Sequence, residues 1–265
     1  MALHLGQTVR DGIGRVLTRT GGVLIAALVA IQLLIQASIN TAVVGFFPPG
    51  PAGELEAYLG VTLPVSGRVA GGLLAAGVVL ASAYVVAVSR ALTRPRRELA
   101  TFPSELYTRR IGRSTLTTLV GGIVVGIAVT IGTALFFFPG VFLSTCFIFF
   151  MFAVGVEDRG VVGALKRSWA LSRGNRLRLA LIVVVAAVFG LVLGVVGSVF
   201  DIANEPLVAE LVTNTLGSVL FVFLYGVTAE AYLRVRDDGG DGESGPVTVD
   251  STDSATASAE SMDRL

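Results

Sequence analysis

A continuous run of apolar and small residues between positions 179 and 200 reads LALIVVVAAVFGLVLGVVGSVF. No charged side chain interrupts it. About 20 residues of this kind, wound into a helix, cover the hydrocarbon core of a bilayer, which is about 30 Å thick. The stretch therefore predicts a membrane-spanning helix.

Five further stretches of the same kind accompany this one along the chain. The six run approximately over residues 22–47, 69–89, 115–138, 139–156, 179–200 and 207–233. The composition agrees, since 53% of residues are hydrophobic, only 15% are charged, and the mean hydropathy is +0.78. We predict an all-α integral membrane protein with six transmembrane helices and short cytoplasmic amphipathic helices.

Two places affect the number of spans. The first span is too long for the core of a signal peptide, so we expect it to be retained as a helix. The third and fourth spans are separated only by Phe136 to Gly140, where Pro139 can open a helix at its first turn and Gly140 permits a sharp reversal. A tight hairpin is expected there, and one long kinked helix is the alternative.

Basic residues fall on one side of the predicted spans. They precede the first span, occupy the loops after the second and fourth, and follow the sixth, whereas the intervening segments hold only Arg68. Because cytoplasmic flanks are enriched in Lys and Arg, we predict that both termini lie in the cytoplasm and that the protein resides in the cell membrane. Glu54 and Asp201 should then face outward, and Thr101, Trp169 and Ser251 inward.

The same charge pattern divides the chain into three regions. Residues 1–20 are predicted to be a cytoplasmic amphipathic lead, residues 21–236 the six-helix transmembrane domain, and residues 237–265 a cytoplasmic tail. The tail carries one Arg against eight acidic residues, and it has too little apolar surface to offset its chain entropy. We expect it to be disordered, either as a regulatory, partner-binding segment or as a solvated end.

Polar side chains recur inside two of the spans. Gln32, Gln36 and Asn40 are four residues apart, so they form one stripe along the first span. Asn214 and Ser218 form a similar pair at about the same depth in the last span. Such groups usually hydrogen-bond between helices, which gives a structural interpretation. The other interpretation is a cavity for a small solute.

Glu230 is the most notable ionisable residue at membrane depth. Arg234 follows it by four residues, which is one helical turn. A local ion pair near the membrane surface is therefore expected, and a role in transport or proton transfer is the alternative.

Residue types that commonly carry catalysis or bind metals are scarce. With one histidine, His4, and one cysteine, Cys146, the chain can build neither a multi-histidine metal site nor an internal disulfide. Cys146 lies in an apolar run and is interpreted as a small buried hydrophobe. The only lysine, Lys166, lacks the sequence context of a phosphate-binding loop. We predict no catalytic, cofactor-binding or metal-binding residue and no enzymatic activity.

A longer motif occupies residues 138–179. It opens with FPGV at Phe138 and, after an aromatic span, reads VEDRGVVGALKRSWALSRGN over residues 156–175. The motif resembles a group of uncharacterised integral membrane proteins related to the membrane domain fused to some glycerophosphodiester phosphodiesterases. The positions that match the group are Glu157, Ala164, Leu165, Ser168, Trp169 and Gly174. The resemblance implies a membrane fold and a shared cytoplasmic motif, and it supplies no catalytic residue.

Within this motif, residues 161–173 are predicted to form a helix lying in the cytoplasmic interface. Four of its apolar residues fall within an arc of about 100°, with Ala164 at the edge of the arc: Val161, Val162, Leu165 and Trp169. The ring of Trp169 is suited to the depth of the lipid headgroups. We take Glu157, Leu165, Ser168 and Trp169 as a candidate interfacial motif. It is either a docking surface for a partner or lipid, or an anchor that fixes the topology of the next hairpin.

These observations favour a non-enzymatic accessory or scaffold protein of the membrane. A small-solute transporter or channel component is the competing interpretation, and an enzyme acting on lipids is the third. Arginines at helix ends are explained by topology and by anionic lipid, so the expected partner is the lipid bilayer and not nucleic acid. No protein partner follows from the sequence.

Overall fold

The fold is given by a computed structural model, which describes residues 5–48, 50, 53, 58–99 and 110–240. These residues form α-helices joined by short loops, with a 3₁₀ turn at Arg96–Glu98. The helices are α1 (Leu5–Val16), α2 (Arg19–Val44), α3 (Gly67–Leu92), α4 (Ile111–Leu135), α5 (Phe137–Phe147), α6 (Phe150–Gly155), α7 (Val161–Ser172), α8 (Arg176–Ile202) and α9 (Pro206–Gly240).

Six segments among the described residues are long and apolar enough to cross a membrane. They are α2, α3, α4, α5 together with α6, α8, and α9. The prediction of an all-α membrane protein with six such helices is therefore confirmed. The remaining two helices, α1 and α7, are short and lie at the ends of these segments, as expected for the amphipathic pieces.

The third and fourth predicted spans form the expected antiparallel hairpin. Phe136 is extended, with φ −154° and ψ 140°, and separates α4 from α5. Near the turn, a Cβ atom added to Gly132 would lie 3.2 Å from the backbone nitrogen of Gly140. Further along, Gly121 of α4 faces the ring of Phe150. One long kinked helix, the alternative, is wrong because the backbone reverses at Phe136.

The fourth span differs from the prediction in being two helices, α5 and α6, with a break at residues 148–149. The break turns Phe149 inward, and both Phe149 and Phe152 are fully buried against Tyr232 of α9. The rings of Phe152 and Tyr232 stack with centroids 5.1 Å apart. These aromatic rings belong to the main apolar core, which also includes residues of α2, α3 and α8.

The first helix, α1, packs along the last helix, α9. Two glycines make this contact close: a Cβ atom on Gly12 would lie 2.5 Å from the Cα atom of Val227, and one on Gly226 would lie 2.7 Å from the carbonyl oxygen of Gly12. Small residues of this kind let helix backbones approach. Helix α1 is therefore attached to the helical bundle through its close contact with α9 at Gly12.

Some predictions concern residues outside the described ranges. These include the side of the membrane assigned to Glu54, Thr101 and Ser251, and the tail beyond residue 240. The orientation of the helices with respect to the cytoplasm remains a prediction from the arginine distribution.

Candidate functional site

An apolar cleft of about 640 Å³ lies between α1, α2, α8 and α9. Helices α2 and α8 both pack on α9, and the cleft lies between them. Two small residues of its lining, Gly190 and Gly217, keep it wide, and nothing lies within 4 Å of a Cβ atom added to Gly190. Phe189 and Phe221 in the lining are 46% and 44% exposed, so the cleft opens sideways toward the space that lipid fills.

Two of the predicted polar residues, Gln32 and Ser218, line this cleft. Ser218 is only 2% exposed, and within the described part of the chain its hydroxyl has no hydrogen-bond partner. Other serines in the spans behave differently: Ser38 and Ser82 donate to the carbonyl oxygen four residues earlier. An unsatisfied buried hydroxyl costs about 1–3 kcal/mol. Ser218 therefore places an unsatisfied polar group in the wall of the cleft, just beneath its accessible surface.

The other members of the predicted stripe, Gln36 and Asn40, lie outside the cleft. The Gln36 amide donates to the Asn40 side-chain oxygen at 3.2 Å. The Asn40 amide donates in turn to a carboxylate oxygen of Glu210 and to the carbonyl oxygen of Val61, both at 3.0 Å. These bonds join α2 to α9 and to the loop before α3, so this end of the stripe has the structural role.

Glu210, on α9, is a residue that the sequence interpretation missed. One oxygen of its carboxylate also accepts the backbone N–H of Val61 at 3.0 Å, and the other oxygen is buried without a partner among the described residues. The sequence did contain a signal for Glu210, since Glu210, Asn214 and Ser218 are each four residues apart and so fall on one face of a helix. Asn214 is half-buried, one turn from each of the other two.

The polar residues of α2 and those of α9 form two stripes that face each other and run in opposite directions along the chain. At one end Asn40 bonds to Glu210, and at the other Gln32 and Ser218 share the cleft. Because α2 and α9 are antiparallel along this face, a four-residue step on one helix matches a four-residue step on the other. The predicted residues therefore divide into a bonded half and a half that faces an open cleft.

In the interfacial motif, Glu157 joins α7 to α9. Its carboxylate accepts hydrogen bonds from the Tyr232 hydroxyl at 2.8 Å, from Arg167 at 3.0 Å and from Arg159 at 2.6 Å. Burial acts to raise the pKa of this carboxyl, but the three hydrogen bonds and the charge of Arg167 outweigh it and lower the pKa below its usual value. Glu157 is therefore held as a carboxylate.

The other residues of the motif hold α7 against α5 and α6. Ser168 is buried and donates to the carbonyl oxygen of Cys146 at 2.8 Å, next to the helix break. Leu165 packs on the small apolar cluster that includes Phe150 and Ala164. Helix α7 is present, as predicted, and its Ser168 and Ala164 face the protein. Its position relative to lipid headgroups stays a prediction.

A family model matches residues 3–235 of the chain, and its description is a domain of unknown function (DUF7847). The chain belongs to this family. No curated protein and no solved structure matches the chain. The family agrees with the expectation of an uncharacterised group of membrane proteins, and the match provides no link to phosphodiesterase membrane domains. The cleft, the Glu157 cluster and α1 all lie within residues 3–235, the range that matches DUF7847.

A second missed interaction lies at the opposite end of α9 from Glu210. The predicted ion pair of Glu230 with Arg234 is present at 3.1 Å, but Glu230 also binds Arg15 of α1 at 2.8 Å. Arg15 donates further to the carbonyl oxygens of Leu92 and Arg94, at 3.1 and 2.7 Å. One buried guanidinium thus ties α1 to the end of α3 and to α9.

No group of three or more His, Cys, Asp or Glu side chains in the described ranges is arranged to hold a metal ion. Two features could bind a ligand: the cleft with Gln32 and Ser218, and the carboxylate of Glu210. The first can bind an apolar molecule that carries a hydrogen-bonding group.

Proposed function

We propose that this protein is a non-enzymatic accessory protein of the cell membrane that binds a lipid-like molecule in the lateral cleft. One observation carries the proposal: the buried hydroxyl of Ser218, which has no partner among the described residues, lies in the wall of a mostly apolar cleft of about 640 Å³. Sites for small molecules are typically about 300–1,000 Å³, mostly apolar, with a few polar groups that orient the ligand.

The lining indicates the chemistry of the ligand. No charged side chain lines the cleft within the described part of the chain, and the polar groups are an amide, Gln32, and a hydroxyl, Ser218. Both hydrogen-bond well to a neutral hydroxyl, ester or amide. The expected ligand has an apolar chain and one neutral polar group at the depth of Ser218.

A lipid-like ligand fits the cleft better than a transmembrane helix of a partner protein. Val9 and Ile13 of α1 line the cleft, so α1 closes it at one end. A partner helix is about 10 Å wide and would have to pass α1 to cross the membrane. A single flexible chain needs no such path.

The alternative is a small-solute transporter or channel component. It is favoured by the paired polar stripes, in which the second carboxylate oxygen of Glu210 has no partner among the described residues. In reconstituted vesicles, Gln32→Leu and Asn214→Leu would then abolish a solute flux that the wild type supports. Loss of thermal stability without any change of flux would leave the stripes a structural role.

The cleft is tested with a neutral single-chain probe, a monoacylglycerol that carries a photoactivatable diazirine in its chain. In detergent-purified, delipidated protein, we expect crosslinks to concentrate on the α8 and α9 residues of the cleft. Gly190→Leu fills the open space and should reduce them at least about fivefold, the lower range for overpacking. Gly194→Leu is the matched control: it lies one turn on, with equal open space, outside the cleft.

Crosslinks of equal yield in the Gly190→Leu and Gly194→Leu variants would overturn the proposal. Labelling spread evenly over all lipid-facing helices would do the same. Ser218→Ala tests the polar contact, and Ser198→Ala, whose hydroxyl donates to the carbonyl oxygen of Gly194, is its control.

A further inference from the structure

A second groove, of about 410 Å³, lies between α5 and α7, away from the cleft. Its apolar lining comes from Phe147, Leu165 and Trp169, and its two charged lining residues are Lys166 and Arg173. Both cations are exposed, and neither has an acidic partner in the part of the chain that the structure describes. An apolar lining with two unneutralised positive charges is complementary to a lipid with an anionic headgroup.

The position of the groove agrees with this ligand. Helix α7 connects α6 to α8, each of which belongs to a segment apolar enough to cross a membrane. The groove therefore lies beside the end of two such segments, the level at which headgroups are expected. Lysine and arginine reach headgroup phosphates from there while their aliphatic stems stay on apolar surface.

A third cation lies beside the groove. The guanidinium of Arg176 is 5.0 Å from the ring centroid of Trp169 and 5.1 Å from that of Phe142. Its Nε atom is buried and makes no hydrogen bond within the described residues. A buried N–H donor without a partner, next to two free cations, is a further feature that an anionic oxygen would satisfy.

We propose that the groove between α5 and α7 binds the headgroup of one anionic phospholipid, with Lys166 and Arg173 on its phosphate and an acyl chain along Phe147 and Trp169. This site is independent of the cleft, because no residue lines both. It also makes the interfacial motif a lipid-recognition surface and not only an anchor for the next hairpin.

Trp169 is the only tryptophan of the chain and lines the groove, so it reports directly on the occupant. The full chain is reconstituted in phosphatidylcholine vesicles that contain a fixed fraction of phosphatidylglycerol. Bromine, which quenches tryptophan, is placed on the acyl chains of one lipid or of the other. We expect brominated phosphatidylglycerol to quench Trp169 more strongly than brominated phosphatidylcholine at equal mole fraction.

Removal of the two charges should abolish this preference. Each basic residue near an anionic surface contributes a factor of about 5 to binding, so Lys166→Gln with Arg173→Gln should make the two brominated lipids quench equally. Arg10→Gln with Arg19→Gln is the control, since both are exposed cations without an acidic partner in the described ranges and neither lines the groove.

Three results would overturn the proposal. One is equal quenching of the wild type by the two brominated lipids. Another is an undiminished preference for phosphatidylglycerol in the variant with Lys166→Gln and Arg173→Gln. The last is an equal loss of preference in the control with Arg10→Gln and Arg19→Gln, which would show that only the overall charge matters.

Discussion

Arg15 is expected to contribute more to stability than its place in the N-terminal lead suggests. Its side chain is 10% exposed, and it makes three hydrogen bonds to two other parts of the bundle. Arg15→Leu keeps the apolar stem but removes all three donors. The carbonyl oxygens of Leu92 and Arg94 and one side of the Glu230 carboxylate are then left without this partner.

The magnitude follows from these contacts. Removing one member of a buried ion pair costs about 3–5 kcal/mol, because the other charge stays buried. Glu230 keeps Arg234 as a second partner at 3.1 Å, so part of its charge remains compensated. We therefore expect Arg15→Leu to lower the free energy of unfolding by about 3 kcal/mol, the lower end of that range.

The assay is reversible unfolding in mixed micelles, in which sodium dodecyl sulfate is titrated and the fluorescence of Trp169 is followed. Arg234→Leu is the matched control, because the Arg234 side chain is 27% exposed and its two partners are Glu230, one turn away, and Asp11 of α1, whose side chain is itself 35% exposed. It should cost about 1 kcal/mol or less. The double variant Arg15→Leu with Glu230→Leu should recover part of the loss, since an apolar pair can replace a buried ion pair.

Equal losses for Arg15→Leu and Arg234→Leu would refute this reasoning. The Arg15–Glu230 contact would then behave as a solvated surface pair. The burial argument would also be contradicted if the double variant lost more unfolding free energy than the sum of the losses in the two single variants, because the double variant keeps neither charge of the Arg15–Glu230 pair.

Three other predictions address contacts elsewhere in the bundle. Glu157→Gln should destabilise the protein at neutral pH. Because the pKa of Glu157 in the folded protein lies below its usual value of 4.5, the stability difference between wild type and variant is full above pH 4.5 and disappears as the pH falls through the lowered pKa. Melting temperatures of both proteins across acidic pH measure this difference. Gly12→Leu should release α1 from α9 at a cost of about 1–3 kcal/mol and expose α1 to protease, whereas Gly6→Leu, in open space, should not. Glu210→Leu leaves two donors unpaired and should cost about 2 kcal/mol or more, and a melting temperature equal to that of the wild type would contradict the role assigned to it.

The sequence predicted those features of the fold that depend on local pattern. Run length and hydropathy indicate the spans because a helix of fixed rise must match the thickness of the bilayer. Pro139 indicated the start of a new helix and lies in the first turn of α5, whereas the chain reverses at Phe136, and Gly140, predicted to permit the reversal, lies inside α5. The four-residue spacing of Gln32, Gln36 and Asn40 predicted one face of a helix; the three residues do lie in α2, where Gln36 bonds to Asn40.

The features that were missed depend on how separate helices align. Arg15 and Glu230 are 215 residues apart, and only the packing of α1 on α9 brings them together. The break between α5 and α6 arises where Phe149 enters the core against Tyr232, which no local pattern indicates. The cleft likewise depends on the separation of α2 from α8. Within the candidate site, the residue types were predictable, but their partners were not.

The contact of α1 with α9 has a consequence for the order of assembly. Helix α1 is made well before α9, yet it reaches its final position only after α9 has been made, because Gly12 and Arg15 find partners in Gly226 and Glu230. Until then the guanidinium of Arg15 and the glycine face of α1 have nothing to dock on in α9. A chain that stops before residue 226 would therefore hold α1 only through contacts such as those of Arg15 with Leu92 and Arg94, and the synthesis of α9 becomes the event that closes this side of the bundle.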